Sequence, residues 1–406
     1  MNSRKIFTTW VVLPLLLLTI GLISIIFLVT SPNQPVLAAS NPHATAVPLL
    51  SPASLASLQN IYEQIYAKVN PSVVNIHVDI SQTTANPNTP QNYPGFNSQV
   101  PQSATGSGFV WDTQGHIITN NHVVSGANRI TITFSDNSSV EAKLVGSDAY
   151  SDLAVLKVDV DSSRLIPVEL ADSSQVKVGQ IAIAIGNPFG LQGTMTQGII
   201  SAVGRSISSG QDSTSQQTVG QYTIPDVIQT DASINPGNSG GVLVDIEGKI
   251  MGVTAAIEST TGTNSGIGFV IPSSIVNKVI PQLISSVSYK YPWLGISGTT
   301  LTPDLVKAMN LPTDQLGALV ITIISGGPAD KAGLHASDQQ TTLNGQQYPI
   351  GGDVITAINS QTIKGFDEVI SYLFNYTEAG QTVTLTILRQ GKVQDIKIIL
   401  GERPAQ

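Results

Sequence analysis

The 406-residue chain contains no cysteine. That excludes disulfides, thiolate metal sites and a cysteine nucleophile together, and leaves the redox compartment open. Charge is scarce as well: Asp, Glu, Lys and Arg supply 11% of the residues, and the formal net charge is −8. No long basic run or basic stripe occurs, so nothing supports nucleic-acid binding. Mild acidity bears on solubility and not on fold. No glycine-rich loop followed by Lys-Ser or Lys-Thr is present, so no nucleotide-phosphate cradle is encoded. With 41% hydrophobic residues the chain can bury substantial cores, and its length suggests two or three domains.

A long apolar run lies near the N-terminus. Arg4 and Lys5 precede 25 uncharged, mostly apolar residues from Ile6 to Thr30. A helix crosses the hydrocarbon core with roughly 20 apolar residues, whereas the apolar part of a secretory signal is roughly 7–15 residues long. The expectation is an uncleaved signal anchor in residues 1–30, its basic end in the cytoplasm and everything beyond Ser31 outside. Pro14 and Gly21 are tolerated in such a helix. A cleaved signal is the alternative, because Val36-Leu37-Ala38-Ala39-Ser40 ends in small residues. Residues 31–53 carry no Asp, Glu, Lys or Arg, are rich in Pro, Ala and Ser, and read as a tether.

Two folded units follow, over residues 54–285 and 286–406. In the first, Leu55, Leu58, Ile61, Ile65 and Val69 recur at helical spacing behind Ser54 as N-cap, and Asn70-Pro71 ends the helix. Short β-like runs then succeed one another. Gly108–Trp111 and His116–Thr119 flank the turn Asp112-Thr113-Gln114-Gly115, and Arg129–Phe134, Val140–Val145, Leu153–Val158, Ile181–Ile185, Gly198–Val203, Val242–Asp245 and Ile250–Thr254 continue the series. Many short strands with turns between them predict a mainly β, barrel-like unit. Residues 81–105 and 206–221 are low-complexity stretches too poor in apolar residues to pack, read either as passive linkers or as regulatory loops. The second unit mixes strands around Ala318–Ile324, Asp353–Ile358, Thr382–Leu388 and Val393–Leu400 with a helix near Phe366–Asn375, an α+β pattern. Residues 335–351 have no assigned role in it.

The sharpest chemical signal is Asn235-Pro236-Gly237-Asn238-Ser239-Gly240-Gly241. Glycines around a serine allow backbone shapes that a Cβ forbids, and such a turn can aim successive N–H groups at one point. The segment Gly237, Asn238, Ser239 is therefore the candidate oxyanion hole, with the N–H groups of Gly237 and Ser239 as donors, and Ser239 Oγ the candidate nucleophile. Pro236 lacks an N–H but removes neither donor. The base must be one of five histidines. His43 lies in the tether, and His77, His116 and His335 have no supporting context. His122 ends a strand, in Ile118-Thr119-Asn120-Asn121-His122-Val123-Val124. Asp152 enters a very apolar strand and is the candidate carboxylate that orients the imidazole. Asp231 reads as a structural hydrogen-bond partner, with a catalytic acid as the alternative.

The order His122, Asp152, Ser239 is chymotrypsin-like. Together with Gly106-Ser107-Gly108-Phe109-Val110, Ala184-Ile185-Gly186-Asn187-Pro188-Phe189-Gly190, Thr230-Asp231-Ala232-Ser233-Ile234-Asn235 and Gly266–Pro272, it resembles the HtrA/Deg proteases over roughly residues 60–402. The resemblance implies a chymotrypsin-like double β-barrel protease domain followed by an α+β PDZ domain. It implies substrate pairing along Thr254, Ala255, Ala256 and Ile257, and a small apolar S1 pocket lined by Ile234 that favours cleavage after small aliphatic residues. Pro292-Trp293-Leu294-Gly295-Ile296 looks like the family's carboxylate loop, so Trp293, Leu294, Gly295 and Ile296 would capture C-terminal peptides, the ligand adding as a strand. Trp293 as simple core packing is the alternative. A homotrimer is implied too. No metal and no cofactor is expected. The function expected is ATP-independent serine endopeptidase activity on unfolded or misfolded proteins outside the cytoplasm. The alternatives are a PDZ-gated protease for one membrane signalling substrate and a proteolytically silent, chaperone-like peptide binder.

Overall fold

A computed structural model of the chain describes residues 52–80, 102–188, 193–209, 222–255, 266–343 and 345–404. The expected membrane segment, residues 6–30, lies outside them, as does most of the 81–105 and 206–221 stretches. No helix among the described residues is long and apolar enough to cross a membrane.

Helix α1 (Pro52–Val69) begins two residues ahead of the expected N-cap and ends where Asn70-Pro71-Ser72 forms a turn of 3-10 helix. Of its apolar stripe only the C-terminal part is buried: Ile65 and Val69 sit in the core, while Leu55 and Ile61 are exposed. Twelve strands follow, in chain order β1 (Val73–Ile80), β2 (Gln102–Val110), β3 (His116–Thr119), β4 (Arg129–Thr133), β5 (Ser139–Asp148), β6 (Leu153–Lys157), β7 (Ile181–Gly186), β8 (Thr194–Ser209), β9 (Tyr222–Thr230), β10 (Val242–Val244), β11 (Ile250–Ala255) and β12 (Gly268–Pro272). They close into two six-stranded barrels, β1-β2-β3-β6-β5-β4 and β10-β11-β12-β9-β8-β7. Closure removes exposed strand edges, and the apolar runs of the sequence become the barrel interiors. Val74, Ile76, Val78, Ile117, Ile132, Ala154 and Leu156 fill the first, each large aliphatic contributing roughly 1.5–3 kcal/mol by leaving water.

Helix α2 (Ser273–Ser286) was not expected from the sequence. It buries Ile275, Val276, Val279, Ile280 and Leu283 at helical spacing, but Pro281 interrupts the pattern. Packing of that apolar face outweighs the hydrogen bond that Pro281 cannot donate.

The C-terminal unit is built on β14 (Ile296–Thr300), β15 (Ala318–Ile323), β18 (Val354–Ile358), β19 (Gln361–Thr362), β20 (Thr382–Arg389) and β21 (Lys392–Ile399), in the order β14-β15-β18-β20-β21 with β19 paired to β18. Helix α3 (Phe366–Tyr376) covers it, burying Val369, Tyr372, Leu373 and Phe374. A short β13 (Pro292–Trp293) pairs with β22 (Gly401–Glu402). The unassigned 335–351 stretch contains a hairpin, β16 (Gln339–Leu343) with β17 (Gln346–Ile350), largely exposed. A buried ion pair braces this unit. Arg389 Nε and Nη2 reach Asp353 Oδ1 and Oδ2 at 2.7 and 2.6 Å, and Asp353 is 1% exposed.

Candidate active site

Antiparallel pairing brings the first two candidate residues together. Strands β3 and β6 run side by side with Thr119 opposite Ala154, so the chain leaving β3 lies against the chain entering β6. Four hydrogen bonds fasten this corner. Asp152 O accepts from Asn121 N–H at 3.1 Å and from Asn120 Nδ2 at 2.9 Å. Asp152 Oδ1 accepts from His122 N–H at 2.9 Å, and Oδ2 lies 2.7 Å from His122 Nδ1. Asp152 adopts φ +54°, a left-handed conformation that costs a residue with a Cβ. The bonds converging on it over-determine that shape.

The ring of His122 is 45% exposed, and the Asp152 side chain 9%. Partial burial pulls the His122 pKa down, but the hydrogen bond to Asp152 and the carboxylate's charge together outweigh it. The net shift is upward from the ordinary 6.5. With Asp152 accepting at Nδ1, the neutral imidazole carries its proton there and offers Nε2 as the base.

Ser239 comes from the second barrel, on the turn before β10, and is held against the first. Its carbonyl accepts from Ser107 N–H of β2 at 2.7 Å. Ser107 Oγ donates to Gly237 O at 2.6 Å and accepts from Asn187 N–H at 2.8 Å, and Asn75 Nδ2 of β1 donates to Asn187 O at 2.7 Å. A methyl group added at Gly106 would strike Val123, the neighbour of His122, and come within 3.3 Å of Ser239 O. The turn that carries Ser239 thus lies close to Val123 and to Thr119 at the end of β3, where the two barrels face each other. Gly237 and Gly240 take φ +92° and +83°, and a Cβ on Gly240 would run into the Ser107 carbonyl. Both positions require glycine, as the motif suggested. Asn238, between the two candidate donors, is buried.

The expected substrate-binding residues are placed less simply. Thr254 donates its N–H to Gly241 O at 3.0 Å and accepts from Gly240 N–H at 2.8 Å. Both of its backbone groups are therefore already paired within the protein. Ala255 ends β11 opposite Phe269 of β12; Ala256 and Ile257 lie outside the described residues. Ile234 is 7% exposed and packs with Ala232, Ile228 and Leu243 in the second barrel's core. Asp231 Oδ1 accepts from Ile199 N–H at 2.7 Å, the structural reading. Among the described residues no cluster of His, Asp and Glu has the makings of a metal site.

A concavity of about 270 Å³ lies between the C-terminal unit and the barrels. Trp293, Leu294, Gly295 and Ile296 all line it, together with Phe366 and Val369 of α3 and Ile224 and Pro225 of β9. The double-barrel unit is thus part of this groove, which no sequence pattern announced. Asp226 of β9 anchors α3 there, accepting from Ser371 Oγ at 2.6 Å and from Asn375 Nδ2 at 2.5 Å. Lys278 of α2 donates to the Phe374 and Asn375 carbonyls at 2.8 and 2.6 Å. Tyr291, which also lines the groove, donates to Asp148 Oδ2 at 2.5 Å, and Asp148 also accepts from Ser151 N–H at 2.8 Å. Burial first, then the Asp148 charge, hold the Tyr291 phenol well above its ordinary range, so it stays a donor.

Comparison with known proteins agrees with this architecture. Residues 106–253 match the trypsin-like peptidase domain family and residues 292–400 the PDZ domain family. The chain is 36% identical over 356 residues to the periplasmic pH-dependent serine endoprotease DegQ of Escherichia coli, covering 86% of this chain and 71% of that one. It is 40% identical over 296 residues to a probable periplasmic serine protease of Haemophilus influenzae, 73% of this chain and 58% of the relative. Against the chloroplastic protease Do-like 1 of Arabidopsis thaliana it is also 40% identical, spanning 65% of that protein's length. Among solved structures, the HtrA-type protease AlgW with a tripeptide superposes with a TM-score of 0.66 at 33% identity, covering 85% of this chain and 98% of the other. Two barrels with these motifs in order, a PDZ unit behind them and relatives at this identity place the chain in the HtrA/Deg family of trypsin-like serine proteases with a PDZ domain.

Proposed function

We propose that the chain is an ATP-independent serine endopeptidase that cleaves unfolded or misfolded proteins outside the cytoplasm. Ser239 is the nucleophile, His122 the general base and Asp152 the orienting carboxylate. The observation that carries this reading is the clasp between the 120–122 segment and Asp152, with the Ser239 turn pinned beside it through Ser107. In this mechanism Ser239 Oγ attacks the scissile carbonyl while His122 Nε2 takes its proton. The N–H groups of Gly237 and Ser239 stabilise the oxyanion. His122 then returns the proton to the leaving amine, and water hydrolyses the acyl-enzyme by the same relay.

Residues 6–30 tether the protein to the membrane, the relatives' periplasmic setting agrees with the working domains lying outside, and the assembly is a homotrimer. Ile234 lines the small apolar pocket that sets the preference for small aliphatic residues at the cleavage site, and substrate pairs along Thr254, Ala255, Ala256 and Ile257. A second reading, a protease gated by C-terminal peptides at Trp293–Ile296, is favoured by the β9 wall of the PDZ groove and the Asp226 anchor on α3.

The test is digestion of an unfolded model protein by the full-length chain in detergent micelles, without ATP, beside Ser239→Ala. Product masses showing cuts after small aliphatic residues by the wild type alone support the quality-control protease. Cleavage only when C-terminal peptides are added supports the gated one. No cleavage under either condition leaves the silent binder. Cleavage by Ser239→Ala at the wild-type rate rejects the nucleophile.

A further inference from the structure

The 237–241 turn has an anchor that the triad geometry does not use. Thr254 is fully buried and is the one polar side chain of β11, in Ile250-Met251-Gly252-Val253-Thr254-Ala255. Its two backbone bonds to Gly240 and Gly241 continue the β10–β11 ladder, in which Val242 faces Val253, and any residue but proline would make them. The third bond belongs to its side chain: Thr254 Oγ1 donates to Asn238 O at 2.6 Å. Asn238 O accepts a second hydrogen from Gly241 N–H at 2.9 Å.

Two donors therefore fix the direction of the Asn238 carbonyl. There are no cis peptide bonds among the described residues, and in a planar trans peptide the N–H points opposite to the C=O. Holding Asn238 O toward Thr254 turns the Ser239 N–H the other way. The preceding peptide is held from the other barrel through Ser107 Oγ on Gly237 O at 2.6 Å, and within the turn by Asn238 N–H on Asn235 O at 2.9 Å. The turn is thus gripped on successive carbonyls by two buried hydroxyls, one per barrel. Valine has nearly the shape of threonine and suits a buried strand better, so packing does not call for the hydroxyl at position 254.

We propose that the Thr254 hydroxyl is a positioning group for proteolysis: by holding the Asn238 carbonyl it aims the Ser239 N–H at the oxyanion, without touching substrate. The inference rests on the reading of Ser239 as nucleophile. Aim matters because a preorganised donor stabilises charge that develops only in the transition state. Loss of the hydroxyl should therefore lower kcat and leave ground-state binding alone. The Gly241 N–H still holds the carbonyl, so the loss is partial.

The test uses the full-length chain in detergent micelles, with Thr254→Val, Thr254→Ser and Ser239→Ala beside the wild type. Readouts are kcat and KM on a fluorogenic peptide, inhibition by a peptide boronic acid that forms a tetrahedral adduct, and affinity for the matching product peptide. Thr254→Val is expected to lower kcat and weaken the boronate each by about tenfold, the order of one lost hydrogen bond. KM and product affinity should stay within about twofold, and Thr254→Ser should recover most of the loss. Unchanged kcat in Thr254→Val overturns the proposal, as do equal losses in Val and Ser variants or a loss of product affinity in step with kcat. If Ser239→Ala keeps wild-type turnover, the nucleophile assignment itself falls; if it is inactive while Thr254→Val is normal, only the Thr254 proposal falls.

Discussion

Replacing Asp152 by asparagine tests the His122–Asp152 geometry most directly. Asp152 spends one oxygen on the His122 backbone N–H at 2.9 Å and the other on Nδ1 at 2.7 Å. Asparagine can keep only one of these acceptors. If its oxygen stays on the backbone N–H, its NH₂ faces Nδ1 and forces that nitrogen to accept. The imidazole proton then moves to Nε2, which can no longer take the Ser239 proton. A wrong tautomer in an otherwise intact site costs on the order of 10⁴ in kcat, or about 5.4 kcal/mol of barrier at 1.36 kcal/mol per decade. The pH profile should move as well. In the wild type the hydrogen bond and charge of Asp152 overcome the effect of burial and raise the His122 pKa above 6.5, so the acid limb of kcat/KM falls above that value. In the variant only burial remains, and the limb of the residual activity shifts down. The same sign governs stability. A raised folded pKa gives a contribution fully present below the unfolded value of about 6.5 and lost as pH rises through the folded one, and Asp152→Asn should flatten that dependence. The assay is kcat and KM on a fluorogenic peptide from about pH 5 to about pH 9. A variant within about tenfold of the wild type throughout, or an acid limb shifted upward, would refute the reasoning.

Other substitutions probe other parts of the structure. Gly240→Ala places a Cβ at φ +83° against the Ser107 carbonyl; turnover should drop by at least about a hundredfold, the scale of a displaced oxyanion donor, with secondary structure by circular dichroism retained. Tyr291→Phe removes the buried donor to Asp148 and should cost about 1.5–3 kcal/mol, seen as a lower urea midpoint. Arg389→Met leaves the Asp353 carboxylate buried without its guanidinium partner and should cost about 3–5 kcal/mol. Made in a Ser239→Ala background to suppress self-cleavage, it should expose the C-terminal unit to an added protease at lower temperature than its parent.

The local patterns were legible because each rests on short-range chemistry. Short apolar runs such as Ile181–Ile185 announced barrel strands, and the glycines around Ser239 announced a turn that only glycine can make, which φ +92° and +83° at Gly237 and Gly240 bear out. The serine motif narrowed the search for a base to five histidines, and context singled out His122, whose ring meets the chosen Asp152. Less was visible where packing overrides propensity. Pro281 hid α2, and the hairpin of β16 and β17 carries too few apolar residues to stand out.

What the sequence determined alone was the class of fold, the family and the identity of the candidate reacting groups, since residue types and their order suffice for these. Only the tertiary structure decided which hydrogen bonds hold the groups in place. Ser107 reaching Gly237, Thr254 reaching Asn238, Tyr291 reaching Asp148 and Asp226 reaching α3 join residues 16 to 149 positions apart. No periodicity or spacing encodes such pairs. Barrel closure and the docking of one unit on another bring them within reach, and burial then makes each polar group find a partner.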